Sequence, residues 1–174
     1  EIRISNLIQK ACISRASFYL YFEDKEYLLG CIAESWVDVI LRKLTEAFRV
    51  SDGSYYESMK LWMSQALEND ISREVWKVYK RVMEEEDFTR KSKMGALQFK
   101  ASPKWRQVIE ECYGHMDQSR YPGLTPEKLA YAVDMGLLAM VQLSMRYVEH
   151  YAPLAELKEA AWHQLTILDK GIRE

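Results

Sequence analysis

Glycine and proline, the two residues that most often interrupt regular structure, are scarce in this chain. Its 174 residues include only seven glycines, no two of them closer than nine positions, and four prolines. The phosphate-binding loops of Rossmann and P-loop enzymes and the nucleophile turn of α/β-hydrolases need glycines a few positions apart, so these classes are excluded. Long stretches of mixed apolar and charged residues lie between these glycines and prolines, and this pattern predicts an all-α fold.

The composition is that of a folded chain without a membrane-spanning segment. Hydrophobic residues make up 48% and charged residues 29%, and the formal net charge is −2. The longest uncharged stretch, 135–145, has eleven residues, whereas a transmembrane helix needs about 20. Three widely separated cysteines favour reduced thiols in the cytoplasm over a disulfide scaffold. The near-neutral charge also argues, taken alone, against a nucleic-acid partner.

Apolar periodicity and capping residues predict about eight helices. Ile4, Leu7 and Ile8 have the spacing of one helical face. Ser14 and Asp24 stand where a side-chain oxygen can accept from the first backbone N–H groups of a helix. The helices are expected over 4–10, 15–22, 25–48, 55–69, 73–86, 103–116, 126–150 and 153–173, with 88–102 ambiguous; Thr125-Pro126 is an expected cap and first helical position.

The first three of these helices are arranged as helix, tight turn, helix, short link, helix. The turn is centred on 11–13, and the second helix follows Ser14. In a helix-turn-helix unit this second helix enters the major groove of DNA, where arginine can bond guanine and small hydroxyls can reach bases or phosphates. The layout alone is weak evidence for DNA binding, because short helical hairpins also occur in proteins that bind no DNA.

The residues in this unit resemble the DNA-binding signature of TetR-type transcriptional regulators. The resemblance covers 2–29, IRISNLIQKACISRASFYLYFEDKEYLL, without a gap, and its most specific part is 14–29. That part is similar to the family's recognition helix, its aromatic link and the lysine that begins the next helix. The resemblance implies a head with its linking helix over 1–47 and a larger effector-binding and dimerisation domain over 48–174. The family's first helix would precede Ile2.

The resemblance also implies which side chains contact DNA, and it shows two departures. The family usually has glycine in the turn, where Cys12 stands, and a non-glycine residue there is strained if its φ is positive. It usually has threonine where Arg3 stands, so a helix cap is lost and a phosphate contact is gained. From the residues alone, Arg15 could instead be a solvated charge, and Tyr19 or Tyr21 a core aromatic. The implied DNA-contacting residues are Arg3, Ser5, Ser14, Arg15, Ala16, Ser17, Tyr19, Tyr21 and Lys25.

The larger domain is expected to enclose an effector. In the resembled family, ligand binding there changes the spacing of the two DNA-reading heads of a dimer. Aromatic and thioether side chains on consecutive helices can line an adaptable apolar cavity, although each of them is also suited to an ordinary core. The candidate pocket residues for a small apolar or aromatic effector are Met59, Trp62, Met63, Trp76, Tyr79, Met83, Trp105, Tyr113 and Met116.

The last two helices are the expected dimer interface. The helix that begins at Pro126 is apolar on nearly every side, so it must be covered on every side. Either a second copy covers one face, or the helix is fully buried within a monomer; we expect the homodimer. The candidate interface residues are Leu129, Val133, Leu137, Met140, Tyr147, Leu157, Ala161, Leu165 and Leu168.

Catalytic and metal-binding patterns are not found in the sequence. The histidines, His115, His150 and His163, are isolated, with no zinc-ligand spacing. We therefore expect no enzyme activity, cofactor or metal. The expected function is a cytoplasmic transcriptional regulator, a repressor, that binds a palindromic operator as a homodimer. The alternative is a TetR-like helical co-activator or ligand-binding protein that acts through a protein partner with little direct DNA binding.

Overall fold

The computed structural model describes residues 3–67, 76, 77, 80, 102–149 and 152–174. Within these ranges every regular element is a helix, which confirms the predicted all-α fold. Seven helices lie there, against about eight predicted; of the helix expected over 73–86 the structure describes only Trp76, Lys77 and Lys80. The helices are α1 (Ile4–Lys10), α2 (Arg15–Tyr21), α3 (Lys25–Val50), α4 (Tyr55–Leu67), α5 (Pro103–Gly114), α6 (Pro126–Val148) and α7 (Leu154–Arg173).

Short-range capping fixes the helix starts that the sequence predicts. The Ser14 hydroxyl accepts from the backbone N–H of Ser17 at 2.9 Å and so caps α2. The Asp24 carboxylate accepts from the N–H of Tyr27 at 2.6 Å and caps α3. Thr125 caps α6 in the same way. Each cap pairs a backbone donor that the first turn of a helix leaves without an internal partner.

Helix α3 belongs to both parts of the molecule. Near its C-terminal end, Leu41, Leu44, Ala47 and Phe48 are buried in the main core. Near its N-terminal end, Leu29 is buried. Over 30–40, between these two anchored ends, the structure describes no fully buried side chain. The helix therefore connects the helix-turn-helix unit to the larger domain through a half-buried middle section, in which Val37 and Ile40 pack against the main core.

The core of the larger domain lies where α4, α6 and α7 pack on one another, with α3 against α4 and α5 against α3 and α6. Gly136 lets α6 approach α4, because a β-carbon at this position would collide with the Met59 side chain. In the described ranges no helix is both long and apolar enough to cross a membrane. The largest fully buried side chains are Leu44, Phe48, Tyr55, Met59, Trp62, Met63, Leu67, Tyr121, Leu129, Met140 and Leu165.

A buried hydrogen-bond network fastens the loop before α6 to two helices. The hydroxyl of Tyr121 accepts from the backbone N–H of Tyr55 at 3.0 Å and donates to Asp169 Oδ1 at 2.5 Å. Asp169 Oδ2 accepts from Arg173, with a distance of 2.8 Å to Nε. The Tyr55 hydroxyl in turn donates to the carbonyl of Ala132 at 2.7 Å. Tyr121 thereby caps the start of α4 and joins it to α7.

The turn between α3 and α4 packs closely on the same loop. Gly53 has a φ of +72°, and its carbonyl accepts from the N–H of Asp117 at 3.0 Å. A β-carbon at Gly53 would lie 2.6 Å from that nitrogen. Both the backbone conformation and the close approach therefore require glycine here.

Candidate nucleic-acid interface

The turn between α1 and α2 depends on one left-handed residue. Cys12 has a φ of +53°, so the condition for strain at the position where the resembled family has glycine is met. The backbone N–H of Cys12 donates to Gln9, and that of Ile13 donates to Ile8 at 3.1 Å. These bonds end α1 and turn the chain into the cap of α2. A left-handed conformation costs a residue with a β-carbon about 1–2 kcal/mol. Cys12 adopts this conformation in the turn despite the cost.

The outer surface of α2 consists of two adjacent rows of side chains. Arg15 and Tyr19 form one row, four positions apart, and the guanidinium carbon of Arg15 lies 5.9 Å from the centre of the Tyr19 ring. Ala16 and Leu20 form the second row, and all four residues are exposed. Stacking on the ring limits the directions that the Arg15 side chain can take. The row is thus arranged to present a cation and a phenol together.

Aromatic packing holds the inner side of α2. Phe18 is 2% exposed; its ring lies 5.3 Å from that of Tyr19 in an edge-to-face arrangement and 5.5 Å from that of Phe22. Phe22 in turn contacts Tyr27 at the start of α3, with ring centres 6.4 Å apart. Tyr19 and Tyr21 are 45% and 76% exposed, so both lie on the surface and neither is a core aromatic.

Positive charge is concentrated in the first two helices. Residues 3–22 contain Arg3, Lys10 and Arg15 and no aspartate or glutamate, a formal charge of +3. All three side chains are exposed. Carboxylates flank this stretch in the sequence, with Glu1 before it and Glu23, Asp24 and Glu26 after it, and Asp24 is occupied as the cap of α3. The net charge of −2 for the whole chain therefore hides a cationic surface at α1 and α2, and the argument from net charge against a nucleic-acid partner does not hold for this surface.

The structure places the nine implied DNA-contacting residues on the head, most of them at the surface. Arg3 is the N-cap residue of α1 and makes no side-chain cap, as its departure from threonine predicts. Lys25, the first residue of α3, has its amine 3.8 Å from the carboxylate of Glu26. Exposed residues are Arg3, Ser5, Ser14, Arg15, Ala16, Tyr19 and Tyr21, whereas Ser17 and Lys25 are half-buried.

Seven of the nine candidate pocket residues lie in or against the main core. The hydroxyl of half-buried Tyr113 donates to the carbonyl of Leu124 at 3.2 Å. Tyr79 and Met83 lie outside the described residues. The buried ones are Met59, Trp62, Met63, Trp76, Trp105 and Met116. The structure brings these side chains together, and the effector pocket among them stays a prediction.

Two features of the larger domain are not singled out by any sequence pattern. The hydroxyl of Ser144 on α6 is fully buried and has no hydrogen-bond partner among the described residues. A groove of about 610 Å³ runs between α3 and α5. The ion pair between Lys104 and Asp38 joins the two helices, and the pair between Arg49 and Glu46 lies on the α3 side of the groove. Its lining residues are Asp38, Leu41, Arg42, Lys43, Thr45, Glu46, Arg49, Lys104, Gln107, Val108 and Glu111.

Six of the nine predicted dimer-interface residues are buried inside the subunit, where they cannot contact a second copy. These six are buried by the chain's own α4, α6 and α7: Leu129, Val133, Met140, Leu157, Ala161 and Leu165. Leu137, Tyr147 and Leu168 are half-buried against the same core. The sequence pattern identified an apolar face of each helix, but these faces are used to hold the subunit together. The large apolar side chains that α6 and α7 leave exposed are Tyr131, Met135, Leu138 and Ile167.

The cysteines differ in their surroundings. Cys12 is exposed, Cys31 is half-buried and Cys112 is fully buried. Burial raises the pKa of the Cys112 thiol to about 12. In the part of the chain that the structure describes, no three histidine, cysteine, aspartate or glutamate side chains are grouped as metal ligands.

Comparison of the chain with protein-family models, with curated proteins and with solved structures gave no match.

Proposed function

We propose that this chain is a TetR-type transcriptional regulator that binds a palindromic operator as a homodimer and responds to a small effector. The observation that carries the proposal is the helix-turn-helix at the N-terminal end. Its turn has a left-handed residue at Cys12, and its second helix presents Arg15 stacked on Tyr19. A short helix held from behind by buried Phe18, with a cation and a phenol in front, is suited to the major groove.

The charge of the head supports contact with a polyanion. Arg3, Lys10 and Arg15 are exposed on α1 and α2, with no carboxylate in the same stretch. Arg15 is the candidate for bidentate bonding to guanine, whereas Arg3 and Lys10 are candidates for phosphate contacts. Each phosphate contact releases counterions, so binding should weaken steeply as salt rises. A dimer doubles the number of these contacts.

The exposed apolar side chains of α6 and α7 are the face that we assign to the dimer. Tyr131, Met135 and Leu138 repeat at helical spacing along one side of α6, and Ile167 is the exposed large apolar residue of α7. Pairing of these faces in two copies would form a four-helix contact from α6 and α7 of each subunit. The heads of a dimer must reach major grooves about 34–36 Å apart, or a multiple of this distance.

The core between α4 and α6 is the region that we assign to the effector. It is rich in methionine and tryptophan, side chains that can repack around an apolar ligand. The unpaired hydroxyl of Ser144 would give such a ligand one hydrogen-bonding partner. An effector acts only if it binds one head spacing more tightly than the other. We infer a repressor whose DNA binding is modulated by the effector.

DNA binding is tested by enrichment of a random duplex pool on the chain, followed by gel shifts with the enriched sequence. Arg15→Ala should weaken the shift about fivefold or more, because one bidentate base contact contributes about 1–3 kcal/mol. Tyr19→Ala should also weaken it, because the Tyr19 ring limits the directions of the Arg15 side chain. Arg106→Ala removes an exposed arginine from α5 and is the matched control. If no sequence is enriched, or if both head variants bind like the unmodified chain, direct DNA recognition by α2 is ruled out.

The dimer is tested separately by light scattering at micromolar concentration. Leu138→Glu places a carboxylate in the assigned face and should give a monomer. Val50→Glu changes an equally exposed residue at the end of α3 and should leave the mass unchanged. A monomeric unmodified chain, or a dimer that Leu138→Glu does not affect, contradicts the assigned interface.

A second candidate is a TetR-like helical co-activator that acts through a protein partner. The exposure of Leu20 and Tyr21 on α2, at 80% and 76%, favours it, because exposed apolar and aromatic groups commonly mark protein contacts. This candidate predicts an intact dimer that enriches no duplex from the pool.

A further inference from the structure

Leu20 is the most exposed large apolar side chain in the part of the chain that the structure describes. It lies four positions after Ala16, so the two residues share one face of α2. This face is adjacent to the row formed by Arg15 and Tyr19. The sequence patterns do not mark Leu20 as functional, because a leucine in a short amphipathic helix is normally assigned to the core.

The surroundings of Leu20 limit what can cover it. A single exposed leucine needs no explanation in general. Here, however, it lies on a helix whose other exposed groups include Arg15, within a stretch of charge +3 that has no carboxylate. A partner surface must therefore offer an apolar group next to strong negative charge. The major groove of DNA offers this combination, because the 5-methyl group of thymine projects into a groove lined with phosphates.

We propose that Leu20, together with Ala16, reads thymine in the operator by contact with its 5-methyl group. The inference rests on the proposed function and adds a specificity-determining residue to it. The two residues are separated by about 6 Å along the helix axis, close to two base-pair steps of about 3.4 Å. With α2 along the groove, the contacted thymines lie about two steps apart within each half-site. Cytosine offers no methyl group and an amine donor, so it is disfavoured at these positions.

Deoxyuridine tests this contact because it lacks only the methyl group and keeps every hydrogen-bonding group of thymine. The probe is the duplex enriched from the random pool, synthesised once with thymidine and once with deoxyuridine throughout. Affinity should fall about fourfold for each contacted methyl group, since burial of one such group is worth about 0.8 kcal/mol. The salt dependence should be the same for both duplexes, because no phosphate contact changes.

Leu20→Ala is the diagnostic variant. It should bind the deoxyuridine duplex as well as the unmodified chain does, and its preference for the thymidine duplex should fall by about fourfold per half-site. Val50→Ala shortens another exposed apolar residue, remote from α2 in the sequence, and should keep the full preference. Because Leu20 is 80% exposed, its variant should retain the helicity and unfolding midpoint of the unmodified chain.

The outcomes separate this inference from the proposed function. Specific binding with equal affinity for both duplexes leaves the regulator proposal in place and overturns methyl contact. The same holds if Leu20→Ala weakens binding to both duplexes equally, or if it changes neither. In the last case the Leu20 surface is assigned to a protein partner. If no duplex is enriched, both the proposed function and this inference fail.

Discussion

Replacement of Tyr121 by phenylalanine should remove about 3 kcal/mol from the free energy of unfolding. The ring of Tyr121 is fully buried, and its hydroxyl makes two hydrogen bonds. Without the hydroxyl, the N–H of Tyr55 loses its cap and Asp169 Oδ1 loses its donor, while Arg173 still pairs with Oδ2. A buried polar group left without a partner costs about 1–3 kcal/mol. The Tyr55 N–H and Asp169 Oδ1 are two such groups. Because Arg173 stays close to Asp169, we expect a loss in the lower part of their combined range, about 3 kcal/mol.

Urea unfolding monitored by circular dichroism measures this loss. With a slope of about 2 kcal/mol per molar urea, the midpoint should fall by about 1.5 M at an unchanged slope. Tyr131→Phe is the matched control, because it removes the hydroxyl of a tyrosine that is 75% exposed. Its free energy of unfolding should change by less than about 0.5 kcal/mol.

A double-mutant cycle with Asp169→Ala isolates the bond between the two side chains. The coupling between Tyr121 and Asp169 should be about 1–2 kcal/mol, within the range found for residues in direct contact. If Tyr121→Phe costs no more than Tyr131→Phe, or if the cycle shows no coupling, the network does not fasten α4 to α7 as argued.

Three further predictions concern the backbone and the thiols. Gly53→Ala should destabilise the fold by about 2 kcal/mol or more, because of its positive φ and the clash with Asp117. Gly30→Ala, in open space within α3, should instead stabilise it by up to about 1 kcal/mol; both are measured by urea unfolding. Cys12→Gly should stabilise the chain by up to about 1 kcal/mol and leave helicity unchanged, since it relieves the left-handed strain. Cys112 should resist alkylation at pH 9 in the folded chain, while Cys12 reacts. Burial raises the pKa of the Cys112 thiol from an ordinary value of 9.0 to about 12. The folded state therefore binds this proton more tightly than the unfolded state does, and stability should fall as pH rises through this window.

Controls and contrary results differ among these three. Equal effects of Gly53→Ala and Gly30→Ala would contradict the close approach at the turn. A loss of stability in Cys12→Gly would mean that the positive φ is not a strain. For the thiol, Cys112→Ala should lessen the fall in stability above pH 9. An unchanged fall would assign it to other groups, among which Tyr55 also has a pKa raised by burial.

Local signals in the sequence predicted local structure well. The caps at Ser14, Asp24 and Thr125 are confirmed, because each one involves atoms only three residues apart. The resemblance identified position 12 as one where a positive φ would favour glycine, and Cys12 has a positive φ. Helix ends were less well defined: α3 ends at Val50 in the structure, two residues after the expected end at 48.

Long-range contacts could not be predicted from the sequence. Periodicity identified apolar faces on α6 and α7, but it does not say whether a face meets its own chain or a second copy. For this reason the expected interface at Leu129 and Leu165 lies in the core instead. The bond between Tyr121 and Asp169 joins residues 48 positions apart, with no sequence motif to mark it. The exposure of Leu20 was missed because only the packing of α1, α2 and α3 leaves its side chain in solvent.

The length and anchoring of α3 have a mechanical consequence. Its 26 residues form a rod of about 39 Å at about 1.5 Å per residue. The rod is held at one end by Leu44 and Phe48 in the core and holds α1 and α2 at the other. A tilt of about 5° at the anchored end moves the far end by about 3 Å, close to the rise of one base pair, about 3.4 Å. In the proposed dimer the two displacements would add, so a small repacking around Phe48 would produce a mismatch of nearly two base pairs on the proposed operator.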